Sequence, residues 1–189
     1  MRIIYGRKGG VSLDEERIIL RCQAGELDLF EYLYDIYHND LYRFCLFLAR
    51  DPDAAGDIFQ DTWVRAMKNI GRYDPQREFL KWLFAIAVNL QRDRWRRLKR
   101  WTLLFQGLHP VQDLDPQERA QARLDRDLLY KYLAALTDKQ RIPIVLHYIE
   151  GFSLEEIAEM LTLPVGTVKS RLHYGKLRLK KMMEAASHG

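Results

Sequence analysis

The sequence predicts an all-α protein built as two small helical domains joined by a flexible linker. Three observations carry that expectation. Apolar residues recur at helical spacing along almost the whole chain, whereas no convincing period-two strand and no Asn-Gly hairpin occurs. Proline and glycine fall between the periodic stretches, where they punctuate. One long aperiodic segment, "TLLFQGLHPVQDLDPQERAQ", divides the chain in two. With 48% hydrophobic and 30% charged residues, a 189-residue chain can bury a modest core in each half and does not read as disordered.

Residues 1–13 are expected to be disordered. They are too short and too charged for a signal peptide, and "RKGGVS" lacks the strand, helix and spacing of a phosphate-binding loop. The N-terminal domain spans 14–100. Its first long stripe runs Phe30, Leu33, Tyr34, Tyr37, Leu41, Phe44, Leu48. "RDPDAAGD" then stops one helix at Pro52 and opens another, expected to bury Phe59, Trp63, Ala66, Met67 and Ile70. "GRYDPQRE" interrupts again, and a long helix follows from about Arg77 to Arg100. Residues 101–119 form the linker. Helical order resumes near Ala120 with "RLDRDLLYKYLAAL" in a C-terminal domain spanning 120–184, and 185–189 form a tail. Thr137 and Gln140 have capping-box spacing at the start of the next helix, inside which Pro143 removes one hydrogen bond.

Several functions are excluded. Cys22 and Cys45 are isolated, with no CxxC pair and no His cluster at ligand spacing, so reduced, packed thiols are expected and no metal or other cofactor. His38 in "DIYHND" has no Ser or Cys nucleophile motif beside it and reads as an ordinary helix-lining residue. With no catalytic constellation, an enzyme is not expected. No stretch reaches the roughly eighteen apolar residues of a membrane span, so direct membrane insertion is not expected and a cytoplasmic location is. The formal net charge is +4, and the excess is concentrated in two runs. One is Arg92, Arg94, Arg96, Arg97, Lys99, Arg100; the other is Lys169, Arg171, Lys176, Arg178, Lys180, Lys181.

The second run lies in "GFSLEEIAEMLTLPVGTVKSRLHYGKLRLKK". Ser153 and Glu156 have capping-box spacing, and Leu154, Ile157, Ala158 and Leu161 share one face of a short helix. A break at Thr162–Pro164 follows. At 100° per residue, the next helix turns Val168, Leu172, Gly175, Leu179 and Met182 inward and Lys169, Ser170, His173, Tyr174, Lys180 and Lys181 outward. Two short helices, a tight turn and a cationic outer face on the second match the helix-turn-helix, whose second helix enters the major groove. Its outward side chains reach base edges while flanking Lys and Arg meet phosphates. A solvated basic face on a helical hairpin is the plain alternative. The agreement of cap, turn and face segregation favours DNA.

"SLEEIAEMLTLPVGTVKSRL" resembles the C-terminal domain of bacterial sigma factors of the extracytoplasmic-function group. "AAGDIFQDTWVRAMKNIGRYDPQREFLKWLFAIAVNLQRDRWRR" resembles that group's other domain, with its acidic-Gln-acidic helix, its "FLKWLF" and its "IAVN" followed by Asp and Arg. The resemblance implies a protein that binds core RNA polymerase, selects promoters and helps open DNA, and it implies an anti-sigma factor as a further partner. It places Lys169, Ser170, His173 and Tyr174 at the base-facing positions for the minus-thirty-five element, with Arg171, Lys176 and Arg178 on phosphates. It places Asn89 beside the pocket for a flipped minus-ten base; Tyr73, Phe79 and Trp82 are weaker candidates, and for each of them packing in the core is the equal alternative. It docks the helix of Asp57, Gln60, Asp61 and Val64 on the clamp helices of the largest polymerase subunit, and the C-terminal domain on the flap of the second-largest.

The residues support part of this independently. On the long helix Leu80, Leu83, Phe84 and Ala87 point one way, while Trp82, Asn89, Arg92, Asp93 and Arg96 lie opposite. Packing explains poorly a Trp and an Asn among arginines on an outer face. Phosphate contact by Arg, base reading by Asn and stacking on unpaired bases by an aromatic explain them better. Asp57 and Asp61, at i and i+4, could be metal ligands or a catalytic pair, but no further ligand cluster accompanies them. With exposed Val64 they suit a partner surface. Two other functions remain open at this stage: a dimeric helix-turn-helix regulator acting without polymerase, and a helical adaptor or small hydrolase centred on Asp57 and Asp61.

Overall fold

The structure, a computed structural model, describes residues 15–49, 51–104 and 131–187. The expected disordered start, most of the expected linker, the first part of the helical stretch from Ala120 and the last two residues of the tail lie outside the described residues. No strand occurs among the described residues, and the helices form the two expected domains.

The N-terminal domain begins with α1 (Glu15–Gln23) and a 3-10 turn (Leu27–Leu29) that leads into α2 (Phe30–Ala49). Asp51 caps α3 (Pro52–Asn69): its carboxylate accepts the Ala54 N–H at 2.8 Å, and Pro52, with no N–H to satisfy, takes the first turn. A second 3-10 turn (Ile70–Arg72) ends α3, and α4 (Phe79–Leu104) completes the domain. Leu41, Phe44, Cys45 and Leu48 of α2 meet Leu83, Phe84 and Ala87 of α4 in a core with almost no solvent exposure. Phe44 and Phe84 stack there with ring centroids 4.1 Å apart, an offset contact worth about 1 kcal/mol beyond its burial. Cys22 and Cys45 are buried and free, and burial pushes the Cys45 thiol up to about 12.

Two expectations for this domain change. Of the expected α3 stripe Trp63, Ala66 and Ile70 are buried, but Ala55, Ile58 and Thr62 complete that face in place of Phe59, which is half-buried, and Met67, which is 40% exposed. Ala54 is also buried, and Phe59 lies at the rim. Thr62 is admitted to the core because its hydroxyl donates to the Ile58 carbonyl at 2.6 Å. Phe59 joins Tyr34 and Tyr42 in an aromatic cluster at that rim, where Tyr34 also stacks on His38. The second change is that α4 runs to Leu104, past the expected boundary at Arg100 and into the expected linker.

In the C-terminal domain a helical stretch over 131–134 precedes α5 (Asp138–Ile144), a π turn (Val145–Ile149), α6 (Leu154–Leu161) and α7 (Val165–Ser187). The capping box at Ser153 is complete: Glu156 N–H donates to Ser153 Oγ at 3.1 Å and Ser153 N–H to the Glu156 carboxylate at 2.7 Å. The one expected at Thr137 does not form: its hydroxyl donates to the Gln140 side-chain oxygen at 3.1 Å and accepts no backbone N–H of the first turn. Pro143 lies inside α5, and the helix loosens into the π turn immediately after it. Thr162 ends α6 in the left-handed region at φ 53°, ψ 55°, a conformation costing a non-glycine residue roughly 1–2 kcal/mol. Gly175 lets α7 rest directly on α5; a Cβ there would stand 2.4 Å from Ile144 Cδ1.

The two domains touch. Arg141 of α5, 2% exposed, pairs with Asp138 at 2.7 Å and donates to the Leu48 carbonyl at the end of α2 at 3.0 Å. There a buried cation meets the negative end of a helix dipole. Gln91 of α4 donates to the same carbonyl at 3.2 Å. Arg92 of α4 donates to the Met160 carbonyl at 2.6 Å and to Thr162 Oγ1 at 2.9 Å, both at the turn that joins α6 to α7. Lys81 lies 3.8 Å from Glu156 and 5.3 Å from the centre of the Phe152 ring.

Candidate nucleic-acid interface

The helix-turn-helix forms as its periodicity requires. Val168, Leu172 and Gly175 of α7 are buried, while Lys169, Ser170, His173 and Tyr174 are exposed in one strip. Lys176 and Arg178 are exposed beside it, Arg171 is half-buried, and Lys176 lies 5.6 Å from the centre of the Tyr148 ring. His173 and Tyr174 meet edge to face with centroids 5.5 Å apart, and Tyr174 is 62% exposed. Ser170 donates its hydroxyl back to the Gly166 and Thr167 carbonyls at 3.1 and 3.0 Å, which leaves its oxygen lone pairs outward. The strip offers a cation, an acceptor, an imidazole and a phenol on successive turns of a helix narrow enough for the major groove.

On the N-terminal domain a cleft of about 320 Å³ is lined by Arg65, Asn69 and Arg72 on one wall and Trp82, Ile86 and Asn89 on the other. The α3 end and its 3-10 turn supply the first wall, and α4 the second. Trp82 is half-buried and leans on Tyr73 and Phe79 with centroids 4.8 and 5.5 Å away. Tyr73 and Phe79 are 4% and 1% exposed. This corrects the expectation that they stack on bases: they back Trp82 and leave its outer side to the cleft. Burial above all, with Glu15 and Asp74 adding to it, pushes the Tyr73 phenol up to about 12, so it stays a donor, to the Arg77 carbonyl.

Asn89 is exposed, and Arg92 donates to its side-chain oxygen at 3.2 Å. The Arg92 guanidinium is pulled below its ordinary value first by burial and then by Arg96. Asp93 lies 4.0 Å from Arg65 and 3.8 Å from Arg96, which orients both cations along the rim. Arg65, Asn69, Arg72 and Ile86 were not anticipated. Their signal is the spacing of Arg65, Asn69 and Arg72, one polar face at the end of α3, but nothing in the sequence pairs that face with α4.

Asp57, Gln60, Asp61 and Val64 are exposed on one side of α3, and Asp57 pairs with Arg94 at 3.4 Å. Among the described residues no group of three or more His, Cys, Asp or Glu side chains could hold a metal ion. Among the described residues no helix is long and apolar enough to cross a membrane.

Comparison with known proteins identifies the two halves of the chain. Residues 33–102 match the family model of sigma-70 region 2, and residues 126–179 that of sigma-70 region 4. The chain is 34% identical over 176 residues to the ECF RNA polymerase sigma factor SigW of Bacillus subtilis, covering 87% of this chain and 94% of SigW. It is 36% identical over 168 residues to the ECF sigma factor SigL of Mycobacterium tuberculosis, covering 85% and 92%. Among solved structures, the sigma factor RpoE in complex with the anti-sigma factor NepR from Bartonella quintana matches with a TM-score of 0.64 at 26% identity, over 82% of this chain and 96% of that one. CnrH in complex with the cytosolic domain of CnrY matches with a TM-score of 0.59 at 26% identity, over 90% and 97%. With both family regions present in order and relatives matched over nearly their full length, the chain belongs to the extracytoplasmic-function group of the sigma-70 family, alternative sigma factors that direct promoter-specific transcription.

Proposed function

We propose that this sigma factor reads the minus-thirty-five element as duplex through α7 and the minus-ten element as melted single strand through the Arg65–Trp82–Asn89 cleft. The observation that carries the proposal is the cleft itself. It combines a half-buried indole, two amides and two arginines in a volume suited to one base. An aromatic can stack on an unpaired base, an amide can pair with its edge, and the arginines can take the flanking phosphates. On α7, Lys169, Ser170, His173 and Tyr174 meet base edges, and Arg171, Lys176 and Arg178 meet phosphates. Asp57, Gln60, Asp61 and Val64 dock the factor on the clamp helices of the largest polymerase subunit, and the C-terminal domain contacts the flap of the second-largest. An anti-sigma factor is a further partner, in keeping with RpoE and CnrH, which are each seen with a binding partner. The factor supplies recognition, and the polymerase supplies the chemistry, in the cytoplasm.

Reconstitution with core polymerase and mapping of transcript starts tests the whole reading. Asn89→Ala is expected to lower discrimination among minus-ten bases by roughly tenfold, the loss of one paired hydrogen-bonding group, with core co-elution intact. Unaltered preference in run-off assays on matched promoter variants counts against the cleft. Reversing Asp57 and Asp61 to Lys together is expected to weaken core capture severalfold while leaving the helix content unchanged, and co-elution equal to the parent's rejects that docking face.

A further inference from the structure

One amide at the end of the first helix holds the turn that forms a wall of the cleft. Gln23, the last residue of α1, donates from Nε2 to the Ile70 carbonyl at 2.9 Å and to the Tyr73 carbonyl at 2.7 Å. Both hydrogens sit on one nitrogen, so both bonds form only while the two carbonyls stand at a fixed separation. Those carbonyls bracket Arg72. The Ile70 carbonyl also accepts the Tyr73 N–H at 3.0 Å, which closes the 3-10 turn. At Tyr73 the backbone swings to φ −73°, ψ 137°, so the chain leaves the turn extended and its carbonyl leaves the helical hydrogen-bond pattern. From the other side the turn is anchored by the Tyr73 ring, buried against Phe79 and Trp82, and by the Tyr73 hydroxyl on the Arg77 carbonyl. The turn is therefore held at two points, with exposed Arg72 and Asn69 projecting from it into the cleft.

We propose that Gln23 is a positioning residue for base selection: by fixing the Ile70–Tyr73 turn from α1 it sets where Arg72 and Asn69 stand opposite Trp82 and Asn89. This rests on the reading of the cleft as the minus-ten site. Gln23 does not itself line the cleft. Its effect is on selectivity more than on attraction. Phosphate attraction needs only that the arginine charge be near, whereas discrimination between bases needs donors held within a fraction of an ångström.

The substitution Gln23→Met keeps the length and burial of the side chain and removes both donors. The turn retains its own Tyr73 N–H bond and its aromatic anchor, so the domain stays folded. With the full-length factor and core polymerase, transcription is measured on promoters that share one minus-thirty-five element and carry each base at each minus-ten position. The expected result is a loss of minus-ten preference of roughly tenfold, two neutral hydrogen bonds' worth, with core co-elution and minus-thirty-five preference unchanged. In an Asn69→Ala background the same substitution is expected to add no further loss of preference, because Gln23 acts on base selection through the amide that this turn places. Amide hydrogen exchange at Gly71–Tyr73 in the free factor is expected to speed up in the Met variant. Unchanged minus-ten preference, an equal loss with and without the Asn69 amide, or unchanged exchange at the turn would each overturn the proposal. A parent factor that starts promoter-specific transcripts but shows no minus-ten preference in these templates instead rejects the assignment of the cleft, and with it the role of Gln23 there.

Discussion

Glu150 ends the π turn of the C-terminal domain, where burial drives its pKa up to about 7; the nearby Asp40 adds to the rise and Arg43 opposes it. The sign is fixed by the direction. A carboxyl with its folded pKa above its unfolded one stabilises fully below the unfolded value, and that contribution is lost as pH rises from about 4.5 through about 7. Thermal unfolding at pH 6 and pH 8 is the check: the parent is expected to lose stability across that interval more than Glu150→Gln does. Equal losses in the two proteins contradict it. A second residue of this kind is Arg141, and neither was legible beforehand. Periodicity shows which face of a helix is buried but not what the opposing element brings to it. The outward strip of α7 was legible for the same reason, since Lys169, Ser170, His173 and Tyr174 are assigned by their own helix alone. Tyr73 and Phe79 could not be told from Trp82, because all three are aromatic and only the approach of the 3-10 turn to α4 decides which ring is covered.

Among elements, α3 shows how a stripe can be legible in part: Trp63, Ala66 and Ile70 are buried as expected, whereas Phe59 and Met67 lie at its edge. Phe59 and Met67 look like better core residues than Ala55 and Thr62, yet it is the two smaller side chains that are fully buried. The helix-turn-helix was the most legible element because its signals are local: a capping box, a break and a second helix with a segregated face. The close seat of α7 on α5 was visible only as an inward Gly175. Gly175→Val is expected to destabilise the protein by about 1–3 kcal/mol, since the added methyls must displace the buried Ile144. A lowered denaturant midpoint with an unchanged slope measures it. A variant as stable as the parent means that Ile144 finds another rotamer without cost.

At the scale of the whole molecule the division into two helical domains was legible from one aperiodic segment, but their contact was not. The residues that make it, Arg92 with the α6–α7 turn and Arg141 with the end of α2, lie 68, 70 and 93 positions apart. Such pairs carry no sequence period. Arg92 is also one of the cations proposed to meet the minus-ten strand, and its Nη1 and Nη2 donors are engaged by Met160, Thr162 and Asn89. Three of its five N–H donors are taken there, so a minus-ten contact that uses the whole guanidinium requires its release from the α6–α7 turn. In such a contact the closed and DNA-bound arrangements would compete at this residue, and the apparent affinity for promoter would be the intrinsic one scaled by the open fraction.

That competition has a kinetic signature. A factor that must first release Arg92 from Met160 and Thr162 passes through a unimolecular step before it can engage promoter DNA. Stopped-flow formation of the promoter complex is expected to accelerate with promoter concentration and then level off at the opening rate. Thr162→Val, which deletes one acceptor, raises the plateau, and a rate that climbs without limit in the parent rules the step out. The Arg92 contact would then act as a clock, setting the soonest moment at which a newly made factor can begin to read.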